Sequence, residues 1–510
     1  MISCCAVCKA PANQRCSGCQ QVVYCNRDHQ RQHWKATHRR ECCCYRVEQN
    51  ACLGRHLVAT RNIRQGEIIL TDTPYVAGPK MVSVPVCLGC NRDLMPLLQL
   101  SGANHFHECS GCGWPLCGEQ CEKSDHHRHE CIILAKSGYR PKLYPDFNNV
   151  HKRETAYCVI VPLRVLLLER NAPEKYAHIQ TFESHLEQRL QSPLYGVVRS
   201  NVVPFARTVL GLRQYSEQAI LQVCAMLDTN CYEVLLPHRH TKIRALYPWG
   251  AMLSHDCKPN TKHYFDASMN MILVATTDIP LSGVITVSYT QPLLGTLHRR
   301  IALQQAKLFH CRCDRCADPT EFGTNISGFQ CPQCKAGIVL PAQPTDYRTT
   351  WRCQRRKCSF QEPINLYVAR CERVEKELMS LDKTDPKSYD GFLERYSTIL
   401  HGWNAYVLQA KYALLQLLVN RASDEGEKED QIECRARRVI ELCCDLLEIA
   451  DRLEPGFGFF RGKLLVKLET SLGILNRLGS MTDHERGKWQ AVKDEILQIS
   501  KTDPSVVVSM

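Results

Sequence analysis

The chain has 510 residues, of which 44% are hydrophobic and 23% charged, and it contains 32 cysteines. The length exceeds what one hydrophobic core can hold, and the composition excludes a disordered chain, so several globular domains are expected. The net charge of +12 permits an acidic partner without requiring one.

The sequence predicts no membrane span and no secretory signal. The best apolar run, VIVPLRVLLL, is short and contains Arg164. The N-terminus lacks a signal-peptide core. We therefore expect a reducing compartment, the cytoplasm or the nucleus, where closely spaced cysteines favour metal ligation over disulfides.

Four short-spaced ligand pairs stand in the first 42 residues, enough for two tetrahedral zinc sites. The pairs are Cys5 with Cys8, Cys16 with Cys19, Cys25 with His29, and His38 with Cys42. Residues 24–42 are predicted to form a helix on which the third and fourth pairs face opposite ways. Cross-braced pairing then puts the first and third pairs on one ion and the second and fourth on the other, with Cys4 as an alternative to Cys5. The pattern resembles the MYND zinc finger, which implies that it binds proline-containing peptides of partner proteins.

A second ligand block follows residues 53–80, whose alternating apolar and polar residues predict short strands. Its members are Cys87, Cys90, Cys109, Cys112, Cys117, Cys121 and Cys131, completed by His127 or His129. Helix geometry favours His127, which lies four residues before Cys131 and therefore on the same face. The block resembles another MYND-like finger. From there to Leu246 the chain is predicted to be mainly helical, for example over residues 154–171 and 215–235.

Two further ligand sets lie downstream of another predicted strand region at 270–289. Cys311, Cys313 and Cys316 leave one vacancy, for which Cys257 in the stretch LSHDCKPNT is the candidate. A ribbon-like set consists of Cys331, Cys334, Cys353 and Cys358. All predicted ligands together suit about six zinc ions. The remaining cysteines, such as Cys443 and Cys444, are expected to be buried small hydrophobes.

The order of several segments resembles the SET domain of protein lysine methyltransferases. These segments are GRHLVAT, ALYPWGAMLSHDCKPNT, ATTDIPLSGVITVSY and FHCRCDRC. A MYND-like finger that divides such a domain is similar to the SMYD (SET and MYND) family, and the extra N-terminal finger is similar to its arthropod-type branch. Residues 363–505 show helical spacing, interrupted by SDEGEKED, and LEPGFGFFRGKLL resembles the TPR-like helices of that family.

The resemblance implies an α+β, multidomain, zinc-rich fold. We expect a MYND finger at 1–42 and a SET domain at 45–290, divided by a finger at 87–131 and a helical insertion at 132–243. Post-SET and ribbon-like zinc sites would occupy 291–360, and an all-α TPR-like domain 361–510.

The activity implied is S-adenosylmethionine-dependent N-methylation of lysine in histone or non-histone proteins. Such an enzyme holds donor and amine in line, and an apolar channel favours the neutral amine. Tyr289 matches the family's catalytic tyrosine, which also lies in the cofactor pocket. The remaining cofactor-binding residues implied by the resemblance are Gly54, Arg55, Ser254, His255 and Phe309.

Four positions depart from the family pattern, and they favour an alternative. His56 replaces a glycine, Ser254 an asparagine, Val284 a glutamate and Lys307 a tyrosine. Each lost contact costs on the order of 1 kcal/mol, so that together they weaken cofactor binding by about a hundredfold. The alternative is a catalytically weak or inactive SET/MYND scaffold that acts as a transcriptional co-regulator. Tyr289, His255 and Phe309 favour the enzyme.

Direct nucleic-acid binding through residues 27–40 is not favoured. The basic residues of this stretch lie all around the predicted helix and share it with zinc ligands, and no base-reading pattern stands out.

Overall fold

The computed structural model of the chain describes residues 4–16, 22–39, 42–80, 83–95, 107–142, 154–235, 242–420 and 428–504. Cys19 and most of the acidic break at 423–430 lie outside these residues. The predicted α+β, zinc-rich class is confirmed, since short strands and helices alternate and cysteine groups recur. Within the described residues, none of the helices combines the length and apolar character needed to cross a bilayer.

Eighteen short strands are described, and most of them pair in small sheets. They are β1 Gln14–Arg15, β2 Val23–Tyr24, β3 Tyr45–Asn50, β4 Gly54–Ala59, β5 Ile68–Asp72, β6 Val76–Gly78, β7 His107–Glu108, β8 Pro115–Leu116, β9 Tyr232–Val234, β10 Ile243–Leu246, β11 Ser254–His255, β12 Thr261–Phe265, β13 Met271–Ala275, β14 Thr286–Val287, β15 Phe329–Gln330, β16 Ile338–Pro341, β17 Trp351–Cys353 and β18 Gln361–Glu362.

The described α-helices lie in the two fingers, in the insertion, in the segment after β14 and in the C-terminal region. They are α1 Arg27–His33, α2 Glu119–Glu122, α3 Asp125–Ser137, α4 Ile160–Asn171, α5 Pro173–Ile179, α6 Leu186–Arg189, α7 Pro193–Pro204, α8 Glu217–Asn230, α9 Thr296–Lys307, α10 Asp314–Ala317, α11 Ile364–Ser380, α12 Pro386–Tyr396, α13 Ala405–Asn420, α14 Glu429–Leu453, α15 Phe459–Arg477 and α16 Asp483–Ser500.

The chain divides into two compact units. The first comprises Met1–Leu70, Leu253–Lys262 and Leu273–Met510, and the second comprises Thr71–Met252 and His263–Ile272. The domain boundaries expected from the sequence remain predictions, because compactness groups the chain differently.

In the first unit, the helix of the N-terminal finger is shorter than predicted. It begins only at Arg27, because the side chain of Asn26 accepts a hydrogen bond from the backbone N–H of His29 and caps the first turn. Tyr24 belongs to β2 instead. After His33 the helix widens into a π-helical turn over Trp34–His38, which buries His38.

Three segments of the first unit lie side by side and form the frame of the predicted SET site. β3 and β4 make a hairpin in the register Tyr45↔Ala59 to Asn50↔Gly54. On the other side of β4, the backbone N–H of Ile285 donates to the carbonyl of Leu57 at 2.9 Å. β14 in turn pairs in parallel with β11, with Ser254 opposite Thr286. This arrangement places the segments that carry Gly54, Ser254 and Tyr289 at neighbouring positions.

Asn260 fixes this frame through its side-chain amide. Its Nδ2 donates to the carbonyl of Val284 at 2.8 Å, and its Oδ1 accepts from the backbone N–H of Thr286 at 2.9 Å. A half-buried amide that satisfies both a donor and an acceptor of one segment specifies that segment's position.

The C-terminal part of the first unit has one large apolar core, shared by the ribbon and the helices α11–α16. The ribbon is a four-stranded sheet in the order β15, β16, β17, β18. Trp351 of β17 stacks on Tyr367 of α11, which joins the ribbon to the helices. The predicted all-helical region is confirmed over the described residues from Ile364 to Ser500.

The expectation that cysteines outside the ligand sets are buried is only partly correct. Cys443 is fully buried in α14, but Cys444 is half-buried and its Sγ lies 2.9 Å from Lys488 Nζ. Cys4, Cys52 and Cys434 are exposed. Small size lets cysteine occupy surface turns and helix faces as well as cores, and composition alone does not distinguish these places.

In the second unit, the predicted helix over 215–235 ends earlier than expected. α8 stops at Asn230, and Tyr232–Val234 forms β9, which pairs antiparallel with β10 in a sheet completed by β6. Tyr232 and Val234 have side chains that favour strands, and in β9 their backbones pair with β10. This pairing stabilises the strand more than another helical turn would stabilise α8.

A tight glycine contact joins the loop before α15 to the strand region of the first unit. Gly456 has φ +74°, and a Cβ on it would lie 1.8 Å from the carbonyl oxygen of Thr276. The same carbonyl accepts hydrogen bonds from the backbone N–H of Phe457 at 3.0 Å and from Gln65 Nε2 at 2.9 Å. Only glycine permits this approach.

We predict that Gly456→Ala destabilises the protein by about 2–4 kcal/mol, because the added methyl group must displace Thr276 and the left-handed backbone is strained. The matched control is Gly479→Ala, which has φ +70° but nothing within 4 Å of the added Cβ. It should cost about 1 kcal/mol. Thermal unfolding followed by circular dichroism measures both, and equal shifts in the midpoint would contradict the contact.

Candidate functional site

The predicted metal ligands gather into compact groups. In five of them, four ligand atoms lie within 4.8 Å of one another. The groups are Cys5, Cys8, Cys25 and His29; Cys87, Cys90, Cys117 and Cys121; Cys109, Cys112, His127 and Cys131; Cys257, Cys311, Cys313 and Cys316; and Cys331, Cys334, Cys353 and Cys358. A zinc–sulfur bond of about 2.3 Å requires sulfurs about 3.8 Å apart in a tetrahedron, so these donor sets fit zinc.

The remaining predicted group is described in part. Cys16 Sγ and Cys42 Sγ are 3.8 Å apart. His38, four residues before Cys42, is buried in the same finger. Its fourth predicted ligand is Cys19, which lies outside the described residues. Cys5, and not the exposed Cys4, belongs to the other group of this finger.

In the second unit, a buried ion pair supports the finger's histidine ligand. His127 Nε2 lies 3.5 Å from Cys112 Sγ, while its Nδ1 lies 3.3 Å from Glu130 Oε1. Arg164 makes two hydrogen bonds of 2.6 Å to the carboxylate of Glu130 and donates to the carbonyls of Ala77 and Leu88. A carboxylate behind a histidine ligand fixes the tautomer and the ring orientation. In the sequence, Arg164 is noted only as a charged residue within an apolar run, and its contact with Glu130 is not predicted.

The group around Cys257 lies in the first unit and is reinforced by buried arginines. Cys257 Sγ is 3.5 Å from Cys316 Sγ and 3.9 Å from Cys311 Sγ. Arg299 Nε donates to Cys257 Sγ at 3.2 Å. Arg299 and Arg315 also bind the buried carboxylate of Glu321 at 2.6 and 3.1 Å. These cations offset the negative charge that four thiolates bring into the interior.

His255 connects this cysteine group to Tyr289. Its Nδ1 accepts a hydrogen bond from the backbone N–H of Tyr289 at 3.0 Å, and its Nε2 lies 3.2 Å from Cys257 Sγ. Burial lowers the pKa of His255 to about 4, so the ring is neutral. With Nδ1 as acceptor, these partners assign the proton to Nε2, which donates to the sulfur. Both ring nitrogens are therefore engaged within the protein.

Tyr289 lies at the opening of the site, with its hydroxyl directed inward. The residue is 37% exposed, yet its hydroxyl donates to the carbonyl of Leu253. Burial of this hydroxyl raises the pKa of Tyr289 to about 12 and keeps the phenol neutral. The ring centroid of Phe309 lies 6.5 Å from that of Tyr289 and 5.9 Å from that of His255. These three aromatic rings form one wall.

The other predicted site residues occupy different depths. Gly54 is exposed, has φ +64°, and has open space where a Cβ would stand. Arg55 is half-buried, whereas Ser254 is buried in β11. Gly54 thus presents open backbone, whereas Ser254 is already enclosed.

The four departures from the family pattern also differ in their surroundings. His56 is buried, and its Nδ1 lies 3.0 Å from the carbonyl of Gly54. Val284 is half-buried, and its carbonyl is bound by Asn260. Lys307 Nζ lies 5.5 Å from the centroid of the Tyr289 ring.

The chain matches two family models, one described as a MYND finger over residues 5–42 and the other as a SET domain over residues 54–290. Together these ranges hold more than half of the chain.

Three relatives illustrate the similarity. The SET domain-containing protein SmydA-8, isoform A, of Drosophila melanogaster is 29% identical over 319 residues, which are 60% of this chain and 63% of that protein. Histone-lysine N-methyltransferase ASHR1 of Arabidopsis thaliana is 22% identical over 407 residues, 74% of this chain and 78% of that protein. Histone-lysine N-methyltransferase SMYD3 of Homo sapiens is 24% identical over 291 residues, 54% of this chain and 62% of that protein. The aligned part of the chain thus spans less than two thirds of the fly and human relatives.

We predict that the purified chain binds about six zinc ions, one for each ligand group. The variant Cys311→Ser/Cys316→Ser should release one of them, because two remaining thiolates hold zinc poorly. The control Cys224→Ser/Cys443→Ser changes two buried cysteines outside the groups and should keep the full number. Zinc is measured by atomic emission per mole of protein. An unchanged count in the first variant would contradict the assignment.

Proposed function

The chain belongs to the SET and MYND domain family, and from that premise we propose that it is a protein-lysine N-methyltransferase that uses S-adenosylmethionine. The observation that carries the proposal is the position of Tyr289, which joins Phe309 and His255 in one aromatic wall beside the Cys257 group. Its substrate would be a lysine of a histone or of another protein. The curated names of the Arabidopsis and human relatives support this class of reaction.

The chain's own residues would act mainly by positioning. S-adenosylmethionine, when bound, supplies an activated methyl group. Phe309 offers a face on which its flat base packs, and the open backbone at Gly54 leaves room for it. Tyr289 is held neutral with its hydroxyl donating to Leu253, so its oxygen keeps its lone pairs and would accept a hydrogen bond from the amine, orienting it without exchanging a proton. The apolar wall disfavours the ammonium form of the substrate lysine.

Zinc would serve the site indirectly. We propose that it occupies the six ligand groups, and that the ion at Cys257 keeps the hydrogen bond from His255 in place and thereby fixes the backbone of Tyr289. We further propose that the MYND fingers bind proline-containing peptides of partner proteins, and that the protein works in the cytoplasm, the nucleus or both.

One observation favours the alternative function, an inactive interaction scaffold. The Lys307 ammonium lies over the ring of Tyr289, close to where a cationic sulfonium and a substrate lysine would approach. Like charges at such distances in a partly buried site cost on the order of 1 kcal/mol or more. Together with the loss of the family's asparagine at Ser254, this charge weakens cofactor binding.

We predict that Tyr289→Phe retains S-adenosylmethionine binding but reduces methyl transfer at least a hundredfold, because the orienting oxygen is lost. The control Tyr412→Phe removes a hydroxyl from the C-terminal helix α13 and should leave both unchanged. Calorimetry measures cofactor binding, and transfer of labelled methyl groups to lysate proteins measures activity. No binding heat at high micromolar cofactor would reject the enzyme and favour the scaffold.

We also predict that Lys307→Met strengthens S-adenosylmethionine binding about fivefold, because a repulsive charge leaves the wall. Lys387→Met, on the exposed side of α12, is the control and should have no effect. Calorimetric titration at low salt measures both affinities. Weaker binding by Lys307→Met would show instead that Lys307 contributes a favourable contact.

A further inference from the structure

The zinc ribbon at residues 329–362 is a separate feature of the chain. It follows the matched SET range, which ends at residue 290, and it contributes no residue to the wall formed by Tyr289, His255 and Phe309. Its cysteines converge at one end of the sheet, which we call the ribbon tip, formed by residues 331–337 and 353–359. The exposed side chains of the ribbon tip are therefore candidates for a separate binding function.

The ribbon is strongly basic. Between residues 329 and 362 it carries six cationic side chains and two acidic ones, Asp346 and Glu362, of which Glu362 is already paired with Arg370. The cations are Lys335, Arg348, Arg352, Arg355, Arg356 and Lys357, and all six are exposed. The side-chain charge of the ribbon is thus +4, and it remains +2 after counting the formal −2 of a zinc tetrathiolate.

None of these six cations forms an ion pair with another residue in the described part of the chain. Arginines of the neighbouring helices behave differently, since Arg370 pairs with Glu362, Arg395 with Glu377 and Arg437 with Glu485. The contrast separates the ribbon from an ordinary solvated surface of mixed charge, on which cations and carboxylates alternate.

The ribbon tip holds four of the cations on two adjoining turns. Lys335 has φ +54°, and its N–H bonds to the carbonyl of Cys331 at 2.9 Å. On the other turn, the N–H of Arg355 points to Cys353 Sγ at 3.4 Å, and the carbonyl of Arg355 accepts from Cys358 N–H at 2.9 Å. A Cβ on Gly337 would approach Arg355 Cβ to 3.1 Å, which shows how closely the turns meet. The backbone beneath the four charges is therefore already ordered.

We propose that the ribbon tip binds the phosphate backbone of duplex DNA without sequence preference, through Lys335, Arg355, Arg356 and Lys357. Duplex DNA carries one negative charge per about 1.7 Å of its axis, a density that matches four cations gathered on two short turns. An extended acidic peptide offers carboxylates on one side only every ~7 Å, and would engage fewer of them. Guanidinium groups also bind phosphate in a bidentate manner.

The two turns of the ribbon tip, and not the four-stranded sheet, would approach the duplex. The major groove of B-form DNA is about 12 Å wide and leaves the phosphates on both of its edges accessible to such turns. The major groove of A-form RNA is deep and narrow and does not admit them. Arg352 on β17, together with the uncharged Gln333 and Ser359 beside the cations, is exposed and available for further contacts to phosphate and sugar.

The test measures binding of a fluorescein-labelled duplex of about 20 base pairs to the full zinc-loaded chain by fluorescence anisotropy, between about 50 and 200 mM salt. The variant Lys335→Gln/Arg355→Gln/Arg356→Gln/Lys357→Gln should bind at least tenfold more weakly. The magnitude of its slope of log affinity against log salt should fall by about 3.6, since each of the four lost phosphate contacts removes about 0.9. Zinc content and thermal midpoint establish that the variant is folded. If that variant does not fold, the double variant Arg355→Gln/Arg356→Gln replaces it, because the backbone hydrogen bonds of Arg355 do not depend on its side chain. With two cations removed instead of four, the expected change in the salt slope is half as large.

The matched control removes the same charge from the helix of the N-terminal finger. Its four exposed cations are changed in the variant Arg27→Gln/Arg31→Gln/Lys35→Gln/Arg39→Gln, which should bind the duplex nearly as the parent does. Equal losses in both variants would overturn the proposal, since net charge alone would then explain binding. So would unchanged binding by the ribbon variant. An unlabelled polyglutamate peptide of equal charge that competes as well as unlabelled duplex would identify an acidic protein partner instead.

Discussion

The group of four thiolates at Cys257, Cys311, Cys313 and Cys316 is the constraint on which the site of the first unit depends. Its sulfurs come from two stretches more than fifty residues apart, and their mutual repulsion in a buried place requires cations. The protein itself supplies Arg299 at sulfur and Arg315 at the carbonyl of Cys257, with Glu321 binding both arginines. The zinc ion is therefore expected to complete a charge balance that buried side chains have already begun.

Through His255, this charge balance also affects Tyr289, the proposed catalytic residue. The neutral ring of His255 donates from Nε2 to Cys257 Sγ and accepts at Nδ1 from the backbone N–H of Tyr289. The position of the cysteine group therefore fixes the position of the Tyr289 backbone. The side chain of Asn260 holds the opposite side of the same segment at Val284 and Thr286. Two side chains, His255 and Asn260, thus position the segment of Tyr289. Both lie within seven residues of Leu253, whose carbonyl accepts a hydrogen bond from the Tyr289 hydroxyl. Such multiple anchoring is what proximity catalysis requires.

Sequence reasoning predicted what short-range spacing determines. Ligands two to four residues apart, and the helical relation of His127 to Cys131, follow from local geometry, and the structure places these side chains together. It could not predict Arg164, Arg299, Arg315 or Glu321, because their partners lie tens of residues away and no spacing links them. It misjudged the start of α1 and the end of α8 for a similar reason. A capping hydrogen bond at Asn26 sets the start of α1, and the pairing of β9 with β10 sets the end of α8. Helical periodicity in the sequence indicates neither boundary.

The departures from the family pattern would act on the proposed cofactor pocket in two physically different ways. His56 and Ser254 are buried, so their effect is the absence of particular hydrogen bonds or of free space, and each such loss is local and about 1 kcal/mol. Lys307 instead adds a charge over the aromatic wall, and charge acts over a longer range and on every cation that enters. Donor and substrate of a methyl transfer to lysine both approach as cations, although the amine must lose its proton before it reacts. A fixed ammonium at the wall therefore opposes cofactor binding, yet it also lowers the pKa of an approaching lysine. In the proposed enzyme, the residue that weakens the ground-state complex would also favour the reactive form of the amine, so a weakened cofactor pocket and catalysis at the proposed site are compatible in one protein.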